Sequence, residues 1–266
     1  MTLKRFVIYI IIFASIAVIG AISMKAEAVT YYIAGDTGND TTGDGSSGSP
    51  WKTIQKAADT TVAGDTVNVK GGDGITYAST SGGTACNTGG FEKAVVCETT
   101  DGTSGSPITY QAWTGTGIPF IDAGTPSIDT SMGIGVSGGD YIIINGFEIV
   151  NAGVNSTNNS GGIRVSSSIG SVLKNNIIHD NVIGSSGIFM GSGSAGKIYN
   201  NTIDDSGYGI RVFINTNTEV KNNIVTNSKS GVGIRCDVAT TPIFSNNLVW
   251  NNTTNYSGCT PSTNDI

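Results

Sequence analysis

The chain of 266 residues carries 14 Lys and Arg against 20 Asp and Glu, a net charge of −6, and contains 38 glycines. An acidic balance of this kind argues against a general nucleic-acid-binding face, which needs a basic stripe to displace counterions. Low charge with abundant Gly, Asn, Ser and Thr leaves disorder or many short strands joined by tight turns, and the regular apolar alternation further along selects the strands.

At the N-terminus Lys4 and Arg5 precede an apolar run from Phe6 to Ile22 and then Ala26-Glu27-Ala28. This is the layout of a secretory signal over residues 1–28, with an uncleaved membrane anchor as the alternative for a run of this length. Loss of Lys4, Arg5, Lys25 and Glu27 leaves 11 basic against 19 acidic residues. No later stretch is apolar for long enough to span a membrane, so the expected location is secreted, periplasmic or cell surface.

Residues 29–65 are expected to form a strand and a capping helix. Pro50 to Ala58 can form a short amphipathic helix whose Trp51, Ile54 and Ala58 cover the end of the first coil of a stacked structure. A Gly/Thr-rich insertion follows between Gly71 and Ser106, and it holds Cys86 and Cys97. A disulfide there would rigidify a loop with little core of its own.

Coils are expected over residues 66–266, and the pattern is sharpest from Ile163 onward. KNNIIHDN, YNNTIDDS, KNNIVTNS and SNNLVWNN place the first Asn of each pair at Asn175, Asn200, Asn222 and Asn246, in steps of 25, 22 and 24 residues. A second series, GGIRV, SGIFM, YGIRV and VGIRC, places Ile163, Ile188, Ile210 and Ile234 each 12 residues before the Asn of its own repeat. Such a period belongs to a solenoid coil, and the apolar alternation within each coil means strands. Leu173, Ile198, Val220 and Phe244, two places before each Asn, supply a second inward series. Stacked coils of short strands make a parallel β-helix, in which no single coil can bury its apolar face alone. The first Asn of each pair is expected at a sharp bend, with its amide stacked into a ladder.

Tyr31 to Gly72, YYIAGDTGNDTTGDGSSGSPWKTIQKAADTTVAGDTVNVKGG, and Ser106 to Gly124, SPITYQAWTGTGIPFIDAG, resemble the N-terminal module and first coil of exported right-handed parallel β-helix proteins of the pectate lyase-like superfamily. With the repeats, the likeness covers nearly the whole mature chain. It implies an all-β, right-handed parallel β-helix with an N-terminal capping helix, in a superfamily where polysaccharide cleavage is common but far from universal. The Asp pairs and Gly-His-Gly of polygalacturonase-like hydrolases are missing, as is the basic signature of chondroitinase B-like lyases.

Candidate chemistry is sparse. The single His179 shares its repeat position with Asp204, Thr226 and Trp250 and reads as a surface residue rather than a triad member. Asp180, Asp204 and Asp205 are one coil apart and form the candidate calcium site that the resemblance suggests, although Asp180 and Asp205 align with Asn227 and Asn251 and equally suit turns. Arg164, Phe189, Arg211 and Arg235 each follow an inward Ile, so they should stack on one water-facing stripe suited to an acidic polysaccharide, with Arg211 its centre. The competing reading of that stripe is a solvated charged face.

Cys236 and Cys259 lie 23 residues apart, about one coil, so they are expected to bond to each other and Cys86 to Cys97. Metal binding by these thiols is the weaker alternative, because no C-x-x-C pair is present. Beyond Ser257 the chain ends at Ile266 in polar residues without a helix, so the last coil is expected to be uncapped, covered by a continuation or a partner. Two functions survive: an exported protein that binds and perhaps cleaves an acidic polysaccharide, or a non-catalytic, adhesin-like structural module.

Overall fold

The computed structural model describes residues 27–72, 74–78, 84–86, 93–124, 131–153, 160–213, 217–237 and 241–266. The expected signal over residues 1–28 therefore lies almost wholly outside the described residues, as does part of the insertion around Cys86. Among the described residues no helix is long and apolar enough to cross a membrane.

Three sheets of eight, seven and eight strands run the length of a parallel β-helix. The first sheet extends from Thr30–Ile33 to Ile243–Ser245, the second from Thr76–Ala78 to Leu248–Trp250, and the third from Thr84–Ala85 to Thr254–Ser257. Pairing is parallel and one coil apart throughout, except where Thr84–Ala85 meets Lys93–Glu98 antiparallel. Each sheet contributes one inward stack. Ile163, Ile188, Ile210 and Ile234 pair in register on the third sheet, and each is 0% exposed. Leu173, Ile198, Val220 and Phe244 do the same on the first sheet, and Ile149, Ile178, Ile203, Val225 and Val249 on the second. The period-two pattern thus translates directly into a continuous apolar interior.

The Asn-Asn pairs divide two jobs that the sequence reading gave to the first Asn alone. Asn175, Asn200, Asn222 and Asn246 have φ of 57°, 55°, 56° and 58°, the left-handed backbone that turns the chain from the first sheet into the second, and their side chains are exposed. The ladder belongs to the second Asn of each pair. Asn176, Asn201, Asn223 and Asn247 are each 1% exposed. Each Oδ1 accepts from the backbone N–H and Nδ2 of the preceding rung at 3.0–3.1 Å, and each Nδ2 also donates to a main-chain carbonyl of the preceding coil or, for Asn176, to Ile144 O. One coil earlier Gly146-Phe147 occupies the same place, with Gly146 at φ 82° and the Phe147 N–H donating to Asn176 Oδ1 at 3.0 Å.

A second bend repeats the device. Asn151, Asp180, Asp205, Asn227 and Asn251 all have positive φ, between 45° and 60°. Behind them Asn181 Nδ2 donates to Ser206 Oγ at 3.0 Å, and Asn252 Oδ1 accepts from Ser228 N–H at 2.9 Å. The glycine that precedes each inward Ile is required by close approach: a Cβ on Gly209 would sit 2.1 Å from Val225 Cγ1.

At the N-terminal end the helix spans only Ile54–Ala58, capped by Thr53, whose Oγ1 accepts from Lys56 N–H at 3.2 Å. Trp51 lies outside the helix, bridges to Ile33 and stacks on Tyr31 with ring centroids 4.7 Å apart. Ile54, Ala57 and Ala58 are buried, so the end of the first coil is covered as expected by a shorter helix. Strand Thr30–Ile33 pairs with Thr66–Val69 and opens the first sheet.

The other end is partly closed by the chain itself, where the sequence suggested no cover. Tyr256 packs edge-on against Phe244, at 5.5 Å between centroids. Asp265 Oδ1 then accepts from Asn247 N–H at 2.7 Å and from Asn247 Nδ2 at 3.1 Å, while Ile266 O accepts from Val249 N–H at 2.7 Å. Both expected disulfides are present, Cys86–Cys97 and Cys236–Cys259, each with Cα atoms 5.4 Å apart.

Candidate functional site

On the outer face of the third sheet the column Cys97, Gly135, Arg164, Phe189, Arg211, Arg235 and Ser257 is in parallel register. The stacking expected for Arg164, Phe189, Arg211 and Arg235 is therefore present. Their expected exposure is not. Phe189 is 2% exposed and Arg211 5%, because the next outward column, two residues further along each strand, leans over them. In that column Phe213 has its ring centroid 6.0 Å from that of Phe189, and the Arg211 guanidinium is held between the two rings, 5.3 Å from Phe189 and 5.1 Å from Phe213. Gly191 makes this possible, since a Cβ there would lie 3.1 Å from Phe189 Cε1 and 2.8 Å from Ser166 Oγ.

Below Phe213 stands Asp237, which the motif reading passed over. Its Oδ2 accepts from Arg211 Nε at 2.8 Å, and its Oδ1 is 3.1 Å from Arg235 Nη2. Arg235 also donates to Tyr208 Oη at 2.9 Å. One carboxylate thus serves two of the three arginines, and the lower half of the expected stripe is internally neutralised.

Arg164 is placed differently. With Ser166, Ser167, Phe189, Ser192 and Phe213 it lines an open recess of ≈ 220 Å³. Its guanidinium lies 5.7 Å from the Phe189 centroid, and burial pulls its pKa down to about 10. Ser166 Oγ is buried with no hydrogen-bond partner among the described residues. The recess therefore offers a cation, two aromatic walls and an unsatisfied hydroxyl. No carboxylate or imidazole lines it. The paired acids of a glycoside hydrolase are absent from its lining, and the titratable group available there is Arg164.

The second sheet carries the other candidates. His179 Nδ1 is 2.7 Å from Asp180 Oδ2 and Nε2 is 3.1 Å from Glu148 Oε1. Partial burial works against the imidazolium, but these two carboxylates outweigh it and raise the His179 pKa. Asp204 Oδ1 accepts from Thr226 Oγ1 and Asn227 Nδ2, both at 2.6 Å, and Asp205 pairs with Lys229 Nζ at 3.2 Å. Asp180, Asp204 and Asp205 are close in the fold but directed at different partners. Among the described residues no three His, Cys, Asp or Glu side chains converge as a metal ion requires. The three carboxylates do not fit a calcium site, and the positive φ of Asp180 and Asp205 gives them a turn-forming role.

Of these features, the sequence reading missed Phe213, Asp237, Gly191 and the serines of the recess. A cue was present: in VGIRCD, Cys236 is the inward residue, so Asp237 must share the outward face with Arg235.

The model of the right-handed β-helix region family matches residues 115–265. No curated protein matches the sequence significantly. Among solved structures, pectate lyase Pel9A superposes with a TM-score of 0.66 at 19% identity, over 85% of this chain and 55% of its own length. A rhamnogalacturonan lyase gives 0.62 at 18% identity, over 85% of this chain and 69% of that one. The lacto-N-biosidase of family GH136 from Eubacterium ramulus gives 0.59 at 17% identity, over 86% and 45%. This chain thus spans little more than half the length of Pel9A, and at these identities the likeness establishes the shared architecture. With the family match covering more than half of the sequence, the chain belongs to the right-handed β-helix region family.

Proposed function

We propose that this protein binds an acidic polysaccharide on the outer face of its third sheet, in the recess lined by Arg164. The observation that carries the reading is the combination of Arg164, the Phe189 and Phe213 rings and the unsatisfied Ser166 hydroxyl in one open recess. A guanidinium suits a carboxylate or sulfate, aromatic rings suit the apolar faces of a sugar, and a hydroxyl without a protein partner suits a sugar oxygen. Pectate lyase and rhamnogalacturonan lyase, by name, act on polysaccharides and share the architecture. Two disulfides suit an exported location. If the bound sugar is cleaved, β-elimination is the chemistry the lining suits, with Arg164, its pKa lowered to about 10, taking the proton beside the uronate carboxylate.

The test is binding of the purified mature protein to a panel of uronate-containing and neutral polysaccharides at two salt concentrations, with ultraviolet absorbance of unsaturated sugar ends followed in parallel. Acidic polymers should bind, salt should weaken them, and Arg164→Gln should reduce affinity by about tenfold, one charge-assisted contact. Absorbance growth would add cleavage to binding. Binding of none of the polymers, or full affinity in Arg164→Gln, would overturn the proposal and favour a structural module.

A further inference from the structure

We infer that Asp237 makes this face selective for an isolated acidic sugar flanked by neutral sugars, rather than for a run of consecutive uronates; the inference rests on the binding reading above. A glycan lying along the helix axis meets one coil about every 4.8 Å, close to the length of a pyranose unit. Starting at Arg164 and moving toward the C-terminus, it meets Phe189, Arg211 and Arg235 in turn. Toward the N-terminus it meets Gly135 and Cys97. Only at Arg164 does a guanidinium line the recess.

The next position is the face of Phe189, which offers a sugar ring apolar contact and offers a carboxylate nothing. Two coils on, the Arg211 guanidinium is 5% exposed, is held between Phe189 and Phe213, and already donates to Asp237. Three coils on, Arg235 is held by the other oxygen of the same Asp237 and by Tyr208. Asp237 thus occupies the place that a second and third substrate carboxylate would need. Its own negative charge also repels them. Without Asp237 the column would be an open cationic ladder suited to a homopolymer of uronates. With it, one acidic group is accepted and its neighbours are best left uncharged.

The experiment compares two oligosaccharides of equal length, one a homopolymer of galacturonate and one in which each uronate alternates with a neutral hexose. Affinity is measured by calorimetry across a range of salt. For the unaltered protein, the alternating oligomer is expected to bind several-fold more tightly, and the dependence of log Kd on log salt should be equally shallow for both, reporting one engaged cation. A homopolymer that binds more tightly with a steeper salt dependence would overturn the inference, and this comparison needs no variant. Asp237→Asn, accepted when its thermal transition remains cooperative, should raise homopolymer affinity by about tenfold while leaving the alternating oligomer within twofold. A folded Asp237→Asn protein with unchanged preference would also overturn it. If neither oligomer binds at all, and the wider panel is equally inert, it is the binding reading that fails.

Discussion

Replacing one rung of the buried amide ladder separates it from the exposed Asn beside it. Asn201→Ala removes the acceptor of Asn176 N–H and of one Asn176 Nδ2 hydrogen, and the donor to Leu173 O and Asn223 Oδ1, four contacts between 3.0 and 3.1 Å. At least two polar groups are then buried without a partner, at about 1–3 kcal/mol each, and the smaller side chain leaves a void, so the expected loss is about 3–5 kcal/mol. That is a large fraction of the roughly 5–15 kcal/mol that holds an ordinary domain together. Asn175→Ala, two rungs of chemistry away but only one coil back, alters an exposed side chain at φ 57° and a contact to Asn145 that water can replace. Its cost is the left-handed backbone of an alanine, about 1 kcal/mol, and Asn175→Gly should be close to neutral. In urea, with a slope of about 2–3 kcal/mol/M, the midpoint should fall by more than ~1 M for Asn201→Ala and by less than ~0.5 M for Asn175→Ala. Equal shifts for the two, read by far-ultraviolet circular dichroism, would refute the division of labour within the Asn pair.

Gly209→Ala should destabilise the fold by about 2–3 kcal/mol, because the added methyl would meet Val225 Cγ1 at 2.1 Å; a Tm unchanged from the parent would contradict the packing of the second sheet against the third. Arg211→Ala should lower stability by about 2–3 kcal/mol, since the guanidinium is sandwiched by two rings and paired with Asp237; calorimetry showing no loss would restore the water-facing placement expected from sequence. Burial raises the pKa of Glu98, whose carboxylate accepts from Tyr110 Oη and from Thr100 N–H. Its contribution is fully present below the ordinary glutamate pKa and is lost as pH rises through the folded value, so Glu98→Gln should flatten the decline of the urea midpoint between about pH 4 and pH 8. Parallel pH profiles for parent and variant would count against this.

The interior was legible because the coil repeats a strict spacing: Ile163, Ile188, Ile210 and Ile234 each stand 12 residues from a bend, and register follows from that count. The disulfides followed from the same arithmetic. The coil containing Gly146-Phe147 was hidden because glycine and phenylalanine meet the same two demands, a left-handed bend and a filled interior, with different side chains. Alternation correctly sent Arg211 outward but could not tell outward from exposed. That depends on Phe213 leaning across from the neighbouring column, which in turn depends on a missing Cβ at Gly191. The Asp cluster misled for a related reason: coil spacing brings carboxylates near one another, while side-chain direction is set by hydrogen bonds to Thr226, Asn227, His179 and Lys229.

The amide ladder has a direction. In every rung from Asn176 to Asn247 the Oδ1 faces the preceding coil and the N–H groups face the following one, so the side-chain dipoles add head to tail along the solenoid, as peptide dipoles add along an α-helix. The donor-rich, partially positive pole therefore lies at the C-terminal coil. It is met there by Asp265, an acceptor with a full negative charge that takes both N–H groups of Asn247 and offers no hydrogen onward. This is the electrostatics of an acidic residue at a helix N-terminus rebuilt from asparagine side chains, and it gives the stack a polarity: a further coil presenting an asparagine oxygen to Asn247 would first have to displace the carboxylate that now satisfies it.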